Sequence, residues 1–417
     1  MEQEITFENL TQDPALKKAL HDLNIDTPTY IQARAIPYIQ EGKDVIGQSS
    51  TGSGKTIAFA LPTLEKIQKA DGLQAIILVP TRELCEQVAD DCQELSKYKP
   101  CNILKIYGGV SIDEQIRRIP QTHVVVGTPG RVCDLLERRS LRLDRIKFLV
   151  LDEADRMLDM GFLPDVERIL KQIPKNRQTL MFSATFPREI EHIMQRHMRN
   201  PQMVRAKTHV EKDLLKQYYY DVPVRDRFHL LVHLLKQENS PYVIVFCGTR
   251  RGVDLIEHNL NKNNIQAKAI HGGLSQNQRK QVMESFHNKQ TTVLVASDIA
   301  SRGLDIKMLS HVYNFDVPKT GKEYLHRIGR TARAGQEGVA VSLVSEKDYD
   351  NFRHVLRDVG KIEKLPLPKF ALTQFEQFMP RRAPMHGHMR RPFRGGERRP
   401  HSFGRQGNRP QRKSYNM

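Results

Sequence analysis

Short runs of Val, Ile and Leu recur along this chain, and each is followed by a longer stretch with helical spacing. In the first half they fall at 44–47, 75–79, 124–126, 148–151 and 179–182; the series restarts at 242–247, 267–270, 292–296, 311–314 and 338–343. Runs that are apolar throughout suit strands buried on both faces. Interleaved with helices, they predict parallel sheets sandwiched between helical layers. Two series predict two α/β domains, at 1–207 and 217–367, and 417 residues suit two or three units of about 150. The polar stretch around 208–216 has no apolar period and reads as a linker, while 213–220, with three tyrosines, reads as a strand entering the second domain.

Beyond residue 367 the pattern ends. The segment 368–417 is rich in Arg, Gly and Pro and poor in aliphatic side chains, which predicts a disordered basic tail. Residues 381–417 hold eleven basic residues and one acid, so +10 of the formal +17 sits there and +7 remains for the first 380 residues. That excess points to a polyanion, and to RNA or DNA over a membrane surface, because no amphipathic anchor accompanies it. No apolar run reaches the roughly 18 residues of a membrane helix, and the acidic start has no signal core. Five cysteines without a CxxC pair read as reduced thiols of a cytoplasmic protein. The histidines show no metal-ligand spacing.

After the first strand, Ser49-Ser-Thr-Gly-Ser-Gly-Lys-Thr56 opens a helix. Small residues here (Ser50, Thr51, Gly52, Ser53, Gly54) let backbone N–H groups close around phosphates, helped by the positive helix end. Lys55 would neutralise the β and γ phosphates, and Thr56 would place its hydroxyl on Mg²⁺. Alone, such a stretch is also compatible with an ordinary turn, and its first position is Ser49 rather than the usual Gly. A second half lies about a hundred residues on, where the run 148–151 ends in Asp152-Glu-Ala-Asp155. Asp152 suits Mg²⁺, partly through water, and Glu153 suits positioning and deprotonating the attacking water. By itself this is also a solvated acidic helix start; paired with Lys55 and Thr56 it reads as the second half of a nucleotide site.

Asp-Glu-Ala-Asp after a strand, with the phosphate loop upstream, resembles the DEAD-box ATP-dependent RNA helicases, in their prokaryotic form with a short Arg/Gly-rich tail. Further matches are Pro28-Thr-Tyr-Ile-Gln32, Pro80-Thr-Arg-Glu-Leu84, Gly108-Gly109, Thr128-Pro-Gly-Arg131 and Ser183-Ala-Thr185. In the second half they are 243–246, Gln276 with Arg279, Ser297-Asp-Ile-Ala-Ser-Arg-Gly-Leu-Asp305 and His326-Arg-Ile-Gly-Arg-Thr-Ala-Arg333. The resemblance covers roughly residues 5–367, in the family's motif order, and implies two RecA-like domains. Ser49, Ser301 and Ala332 stand where the family usually has Ala, Ala and Gly, which bears on local backbone fit more than on chemistry.

Resemblance also implies roles. Gln32 reads the adenine edge with Phe7 stacking on the ring, Asp305 touches the ribose, and His326 couples to Asp155, Ser183 and Thr185. Arg330 and Arg333, three apart, are expected on one helical face as arginine fingers that reach the γ-phosphate when the domains close. Pro80, Thr81, Arg82, Gly109, Thr128, Pro129 and Arg131, with Arg250, Gly272, Arg279 and Ser297 in the second domain, suit sequence-independent contacts to single-stranded and duplex RNA. The implied activity is RNA-stimulated ATP hydrolysis with local strand separation or remodelling of RNA–protein complexes. Two alternatives stay open at this level: a DNA helicase of related architecture, and an ATP-gated RNA clamp or annealing chaperone.

Overall fold

The computed structural model describes residues 5–49, 53–206, 214–237, 242–298, 309–332 and 337–377. Each series of apolar runs becomes a seven-stranded sheet. The first contains β1 (Val45–Gln48), β2 (Ala75–Leu78), β3 (Ile103–Ile106), β4 (Val124–Gly127), β5 (Phe148–Asp152), β6 (Gln178–Ser183) and β7 (Gln202–Arg205), in the order β3-β4-β2-β5-β6-β1-β7. The second contains β8 (Leu215–Asp221), β9 (Val243–Phe246), β10 (Ala267–Ile270), β11 (Val293–Ala296), β12 (His311–Asn314), β13 (Gly338–Val344) and β14 (Glu363–Lys364), in the order β10-β11-β9-β12-β13-β8-β14. Every pairing is parallel, as expected of tandem α/β lobes.

The unbroken apolar runs are explained by two-sided burial. Ala75, Ile77, Val126, Val150, Leu180 and Phe182 pack into one layer of the first lobe, while Ile76, Leu78, Val125, Leu151 and Met181 pack into the other. Register reinforces the rows: Ile77 lies beside Val126 and Val150, and Leu78 beside Leu151. In the second lobe Val243, Val245, Val293 and Val295 face one layer and Ile244, Phe246, Leu294 and Ala296 the other. Each such side chain contributes about 1.5–3 kcal/mol on burial.

Edge strands were harder to see. β3 and β7 close the first sheet at its two ends, and in β7 Val204 alone is buried, so it lacks the two-sided signature. Leu215 and Lys216 pair with Gly338 and Val339, so the second sheet takes over the end of the expected linker; residues 207–213 lie outside those described. The start of the expected tail needs correction as well. Instead of being disordered from 368, residues 370–377 lie against the second lobe. Asn259 and Asn263 bond the backbone of Glu376 and Gln374, His229 meets Thr373, and Phe375 packs on Phe228. Side-chain amides gripping a backbone leave no hydrophobic period. Residues 378–417 lie outside those described. Among the described residues no helix is long and apolar enough to cross a membrane, and all five cysteines are free thiols.

One buried cation ties together the carboxyl ends of the second sheet. Arg227, 2% exposed, donates to Asp316 at 2.7 Å beyond β12 and to Asp348 at 2.8 Å beyond β13, with its guanidinium over the Phe315 ring. Burial alone would raise the Asp316 carboxyl, but Arg227, the Gly248 amide and Lys347 outweigh it and hold the group below its ordinary 3.8. Removing the cation leaves the buried Asp348 carboxylate without its ion-pair partner and Asp316 with Lys347 as its remaining cation. Arg227→Met should therefore lose about 3–5 kcal/mol in denaturant unfolding at neutral pH. A depressed native pKa gives stabilisation that is present above the unfolded value and lost as pH falls through the native one. The deficit of the variant should accordingly shrink below about pH 4.

Candidate active site and RNA-facing loops

The strand order β5-β6-β1 brings three carboxyl ends side by side, with Asp152 beside Phe182 and Gln48 beside Ser183 in register. Open parallel sheets bind ligands at this edge. The phosphate loop, the acidic turn and the Ser183-Ala-Thr185 segment thus meet at one place because of topology alone.

In the phosphate loop, Ser53 Oγ donates to Ser49 Oγ at 2.9 Å, and Lys55 Nζ lies 3.4 Å from the Ser49 carbonyl. The residue that departs from the family's usual Ala therefore adds a hydroxyl tie across the base of the loop. Gly54 has φ +89°, and a Cβ there would collide with Gln32 Nε2, so glycine is required on both counts. Lys55, 7% exposed, and Thr56 open the helix Lys55–Lys66. Ser50, Thr51 and Gly52 lie outside the described residues.

Gln32 is joined to this loop directly. Its Nε2 donates to the Gly54 carbonyl at 3.0 Å, and its Oε1 accepts from Thr29 N at 2.7 Å, closing a capping box at the start of Tyr30–Gln40. Thr29 adds a hydroxyl bond to the Ser53 carbonyl at 2.8 Å. Thr29 was not singled out from sequence, although the Thr-x-x-Gln spacing of a capping box was there to find. Phe7, expected to stack on adenine, is a core side chain instead, 5% exposed and packed with the apolar layer of the first lobe.

The acids divide by environment. Asp152 is buried, and burial pushes its carboxyl up to about 6 against the pull of Lys55. For Glu153 burial also raises the carboxyl, but Arg156, Lys55 and Arg330 hold it below its ordinary value. Arg156 Nη1 donates to Glu153 Oε2 at 2.6 Å, with both side chains almost completely buried. Arg156 was another residue missed, though its position three after Glu153 on a short helix was legible. Glu153 itself sits at φ +53°, a left-handed conformation unusual for a non-glycine residue and typical of functional strain. Asp155 Oδ2 accepts from Thr185 N at 2.9 Å and from Thr185 Oγ1 at 2.8 Å, while Ser183 Oγ accepts from Asp155 N at 3.1 Å. These bonds, against burial, keep the Asp155 carboxyl below its ordinary value.

From the second lobe, His326 is half-buried in the helix Gly321–Ile328. Arg327 forks onto Asp298 at 2.6 and 2.8 Å and bonds Asn314 and the Asp316 carbonyl, so it organises the strand ends. Arg330 does not sit on a helical face as expected, because the helix stops at Ile328 with Gly329 as its cap. Arg330 follows in a turn, 2% exposed, and Thr331 anchors it by bonding the Leu309 carbonyl. Ala332 has φ +52°, which explains why the family usually has Gly there. Arg333, Asp305 and Ser301 lie outside the described residues. Arg330 nevertheless bears electrostatically on Glu153 of the other lobe, so the two lobes share one buried charge cluster.

The loops expected to meet RNA repeat one design in both lobes. After β2, Pro80 is buried and Thr81 caps the next helix by accepting from Leu84 N, with Arg82 as its first residue. After β9, Thr249 accepts from Gly252 N and Arg250 follows. Arg82 lies over Gly108-Gly109, where φ at Gly109 is +89° and a Cβ would strike the guanidinium. Arg250 lies over Gly272-Gly273, where a Cβ on Gly272 would be 3.2 Å from its Nη2. His271 fixes that second turn through Asp254 at 2.7 Å and Gly273 N at 3.1 Å. Arg131, beyond Thr128 and Pro129 on the helix Pro129–Glu137, bonds the Val110 carbonyl and Gln115 beside the first Gly-Gly turn. Arg279 departs from its expected role: it pairs with Glu83 of the first lobe at 2.9 Å, both partners largely buried. Arg250, Gly272 and Ser297 line a cleft of about 1690 Å³ along the second sheet's carboxyl edge.

Two hard oxygen donors, the Thr56 hydroxyl and the Asp152 carboxyl, lie at the phosphate loop. The Asp152 carboxyl is 3% exposed and burial outweighs the pull of Lys55 on it, so a further positive charge would be favoured there; the pair fits a divalent cation that keeps part of its water and takes its remaining ligands from phosphate.

The family model for DEAD/DEAH box helicases matches residues 29–193, and that for the helicase conserved C-terminal domain matches residues 226–335. The chain is 42% identical over 367 residues to the DEAD-box ATP-dependent RNA helicase CshA of Geobacillus kaustophilus, covering 87% of this chain and 79% of that one. It is 43% identical over 364 residues to the ATP-dependent RNA helicase CshA of Listeria monocytogenes, covering 87% and 70%. Among solved structures, S. cerevisiae Dbp5 bound to RNA and ADP BeF3 superimposes with a TM-score of 0.79 at 31% identity, over 87% of this chain and 96% of that one. A DEAD box protein from Methanococcus jannaschii, at 40% identity over 87% and 99%, gives 0.54. The relative nearer in sequence is thus the less alike in shape. On two matching family models and relatives that share most of its length, the chain belongs to the DEAD-box ATP-dependent RNA helicase family.

Proposed function

We propose that this chain hydrolyses ATP in an RNA-stimulated manner and uses the cycle to separate RNA duplexes locally or to remodel RNA–protein complexes. The observation that carries the reading is the approach of Arg330, from the second lobe, to the buried Glu153 of the first. A hydrolytic site completed only across two lobes makes catalysis depend on whatever brings them together.

In this reading the phosphates rest on Ser50 to Gly54 with Lys55 against the β and γ groups. A bound Mg²⁺, held by Thr56 and partly through water by Asp152, would neutralise phosphate charge. Glu153 orients the attacking water and draws its proton, and Arg156 keeps that carboxylate ionised and aimed. Arg330, with Arg333, stabilises charge on the γ-phosphate as it departs. Gln32 links adenine occupancy to the loop because its amide already holds the Gly54 carbonyl. Asp155, Ser183 and Thr185, with His326, relay the state of the site towards the second lobe.

RNA would run over the paired Thr-Arg/Gly-Gly corners. Arg82, Arg131 and Arg250 take phosphates, and the hydroxyls and exposed amides of Thr128, Gly109, Gly272 and Ser297 meet sugars, without reading sequence. A strand laid over corners from both lobes favours their approach, which explains stimulation. The higher TM-score with the RNA- and ADP BeF3-bound relative supports this arrangement of lobes. Free, buried thiols fit a reduced, cytoplasmic setting.

Glu153→Gln should keep ATP and RNA binding while turnover stalls, because the amide can neither take the proton nor pair with Arg156 as an ion; normal steady-state hydrolysis would remove Glu153 from this role. Arg330→Ala should lower RNA-stimulated kcat by about 10³–10⁵, the range of a lost arginine finger. RNA affinity in the absence of nucleotide should be unaltered, which filter binding checks.

A further inference from the structure

The second lobe carries an aromatic ring that the mechanism above does not use. Phe375 is 42% exposed, yet it is held firmly from both sides. The fully buried Asn259 accepts from Glu376 N at 2.7 Å and donates to the Glu376 carbonyl at 2.9 Å, clasping the residue after it. Asn263 donates to the Gln374 carbonyl at 2.8 Å, clasping the residue before. One edge of the ring rests on the buried Phe228 with centroids 4.9 Å apart. Held this rigidly while still partly wet, the ring offers an apolar face whose orientation is set in advance.

What lies around the ring identifies its ligand. Phe375 lines the same cleft as Arg250, Gly272 and Ser297, together with Arg225 and Lys319. At about 1690 Å³ the cleft exceeds the 300–1,000 Å³ of a small-molecule pocket and suits a polymer. Several carboxylates in it are already neutralised: Asp298 by Arg327, Asp316 and Asp348 by Arg227, and Asp159 by Lys322. Cations tracking a backbone beside a fixed aromatic face are the parts of a single-strand site in which bases stack. We propose that Phe375 forms a base-stacking subsite for single-stranded RNA at the end of the cleft, presented by the Asn259 and Asn263 clasps. The subsite deepens the helicase reading and rests on it. It adds to sequence-independent backbone contacts a preference for bases with strong stacking, purines over pyrimidines. Residues 370–377 would then be an extension of the RNA site as well as the end of the lobe.

The test uses the full-length chain and single-stranded oligoadenylate, oligouridylate and abasic ribose-phosphate oligomers of about ten nucleotides. The readout is the RNA concentration that half-stimulates ATP hydrolysis. For oligoadenylate, Phe375→Ala should raise that concentration between about 5-fold and about 100-fold, the range that base–aromatic stacking supplies. Maximal turnover, salt dependence and melting temperature should be unchanged. Phe375→Tyr should behave as the parent, and the parent's preference for oligoadenylate over oligouridylate should collapse in the alanine variant. An equal loss with the abasic oligomer would overturn the proposal, since the effect would then lie in the backbone site or the fold. An unaltered alanine variant would also overturn it and leave the ring to a protein partner. Absence of RNA stimulation in the parent would instead defeat the helicase reading itself, and is seen before any variant is made.

Discussion

A carboxylate buried at Glu153 must find positive charge, and in this protein part of that charge belongs to the other lobe. Arg156 supplies a local ion pair at 2.6 Å, Lys55 adds its field from the phosphate loop, and Arg330 contributes from beyond the second sheet. Bringing an ionised carboxylate out of water is strongly unfavourable without such partners. Electrostatic demand in the first lobe therefore becomes a force that holds the second in place. The Arg279–Glu83 and Lys322–Asp159 pairs span the same boundary as direct ion pairs. Glu153 differs because it is 4% exposed and feels the field of Lys55 in the phosphate loop as well.

Around this centre the two lobes solve the same problem twice. Each ends a central strand in a Thr-capped helix whose first residue is an arginine, and each lays that arginine over a Gly-Gly turn that follows the edge strand two positions along the sheet. Glycine is needed because the guanidinium occupies the space a side chain would take. The result is a flat, cationic corner with open backbone amides, repeated on two bodies. A polyanion crossing both corners touches equivalent chemistry at each step, which suits a ligand recognised by its repeating backbone.

How far the amino-acid sequence reveals this depends on the type of interaction. The central strands were legible because both faces are buried and the runs 75–79 and 148–151 admit no polar residue. The edge strand Gln202–Arg205 was not, since a strand with one neighbour and one wet side buries a single apolar residue. Lys55, Asp152 and Glu153 were legible because phosphate chemistry dictates their spacing. Phe7 misled, because an isolated aromatic looks the same whether it stacks on a base or packs in a core. The ordered stretch 370–377 was hidden for a different reason: it is fixed by asparagine amides that sit on a helix more than a hundred residues upstream, and no local pattern records that partnership. The helical face expected for Arg330 failed because the helix ends at Ile328, two residues before it.

Ala332 carries a consequence of its own. Its backbone at φ +52° is a conformation that an alanine abandons readily, disfavoured by roughly 1–2 kcal/mol where glycine is indifferent. About tenfold fewer molecules therefore hold this corner spontaneously than would with glycine. Holding this corner thus draws on the contacts around it, among them the Thr331 bond to the Leu309 carbonyl.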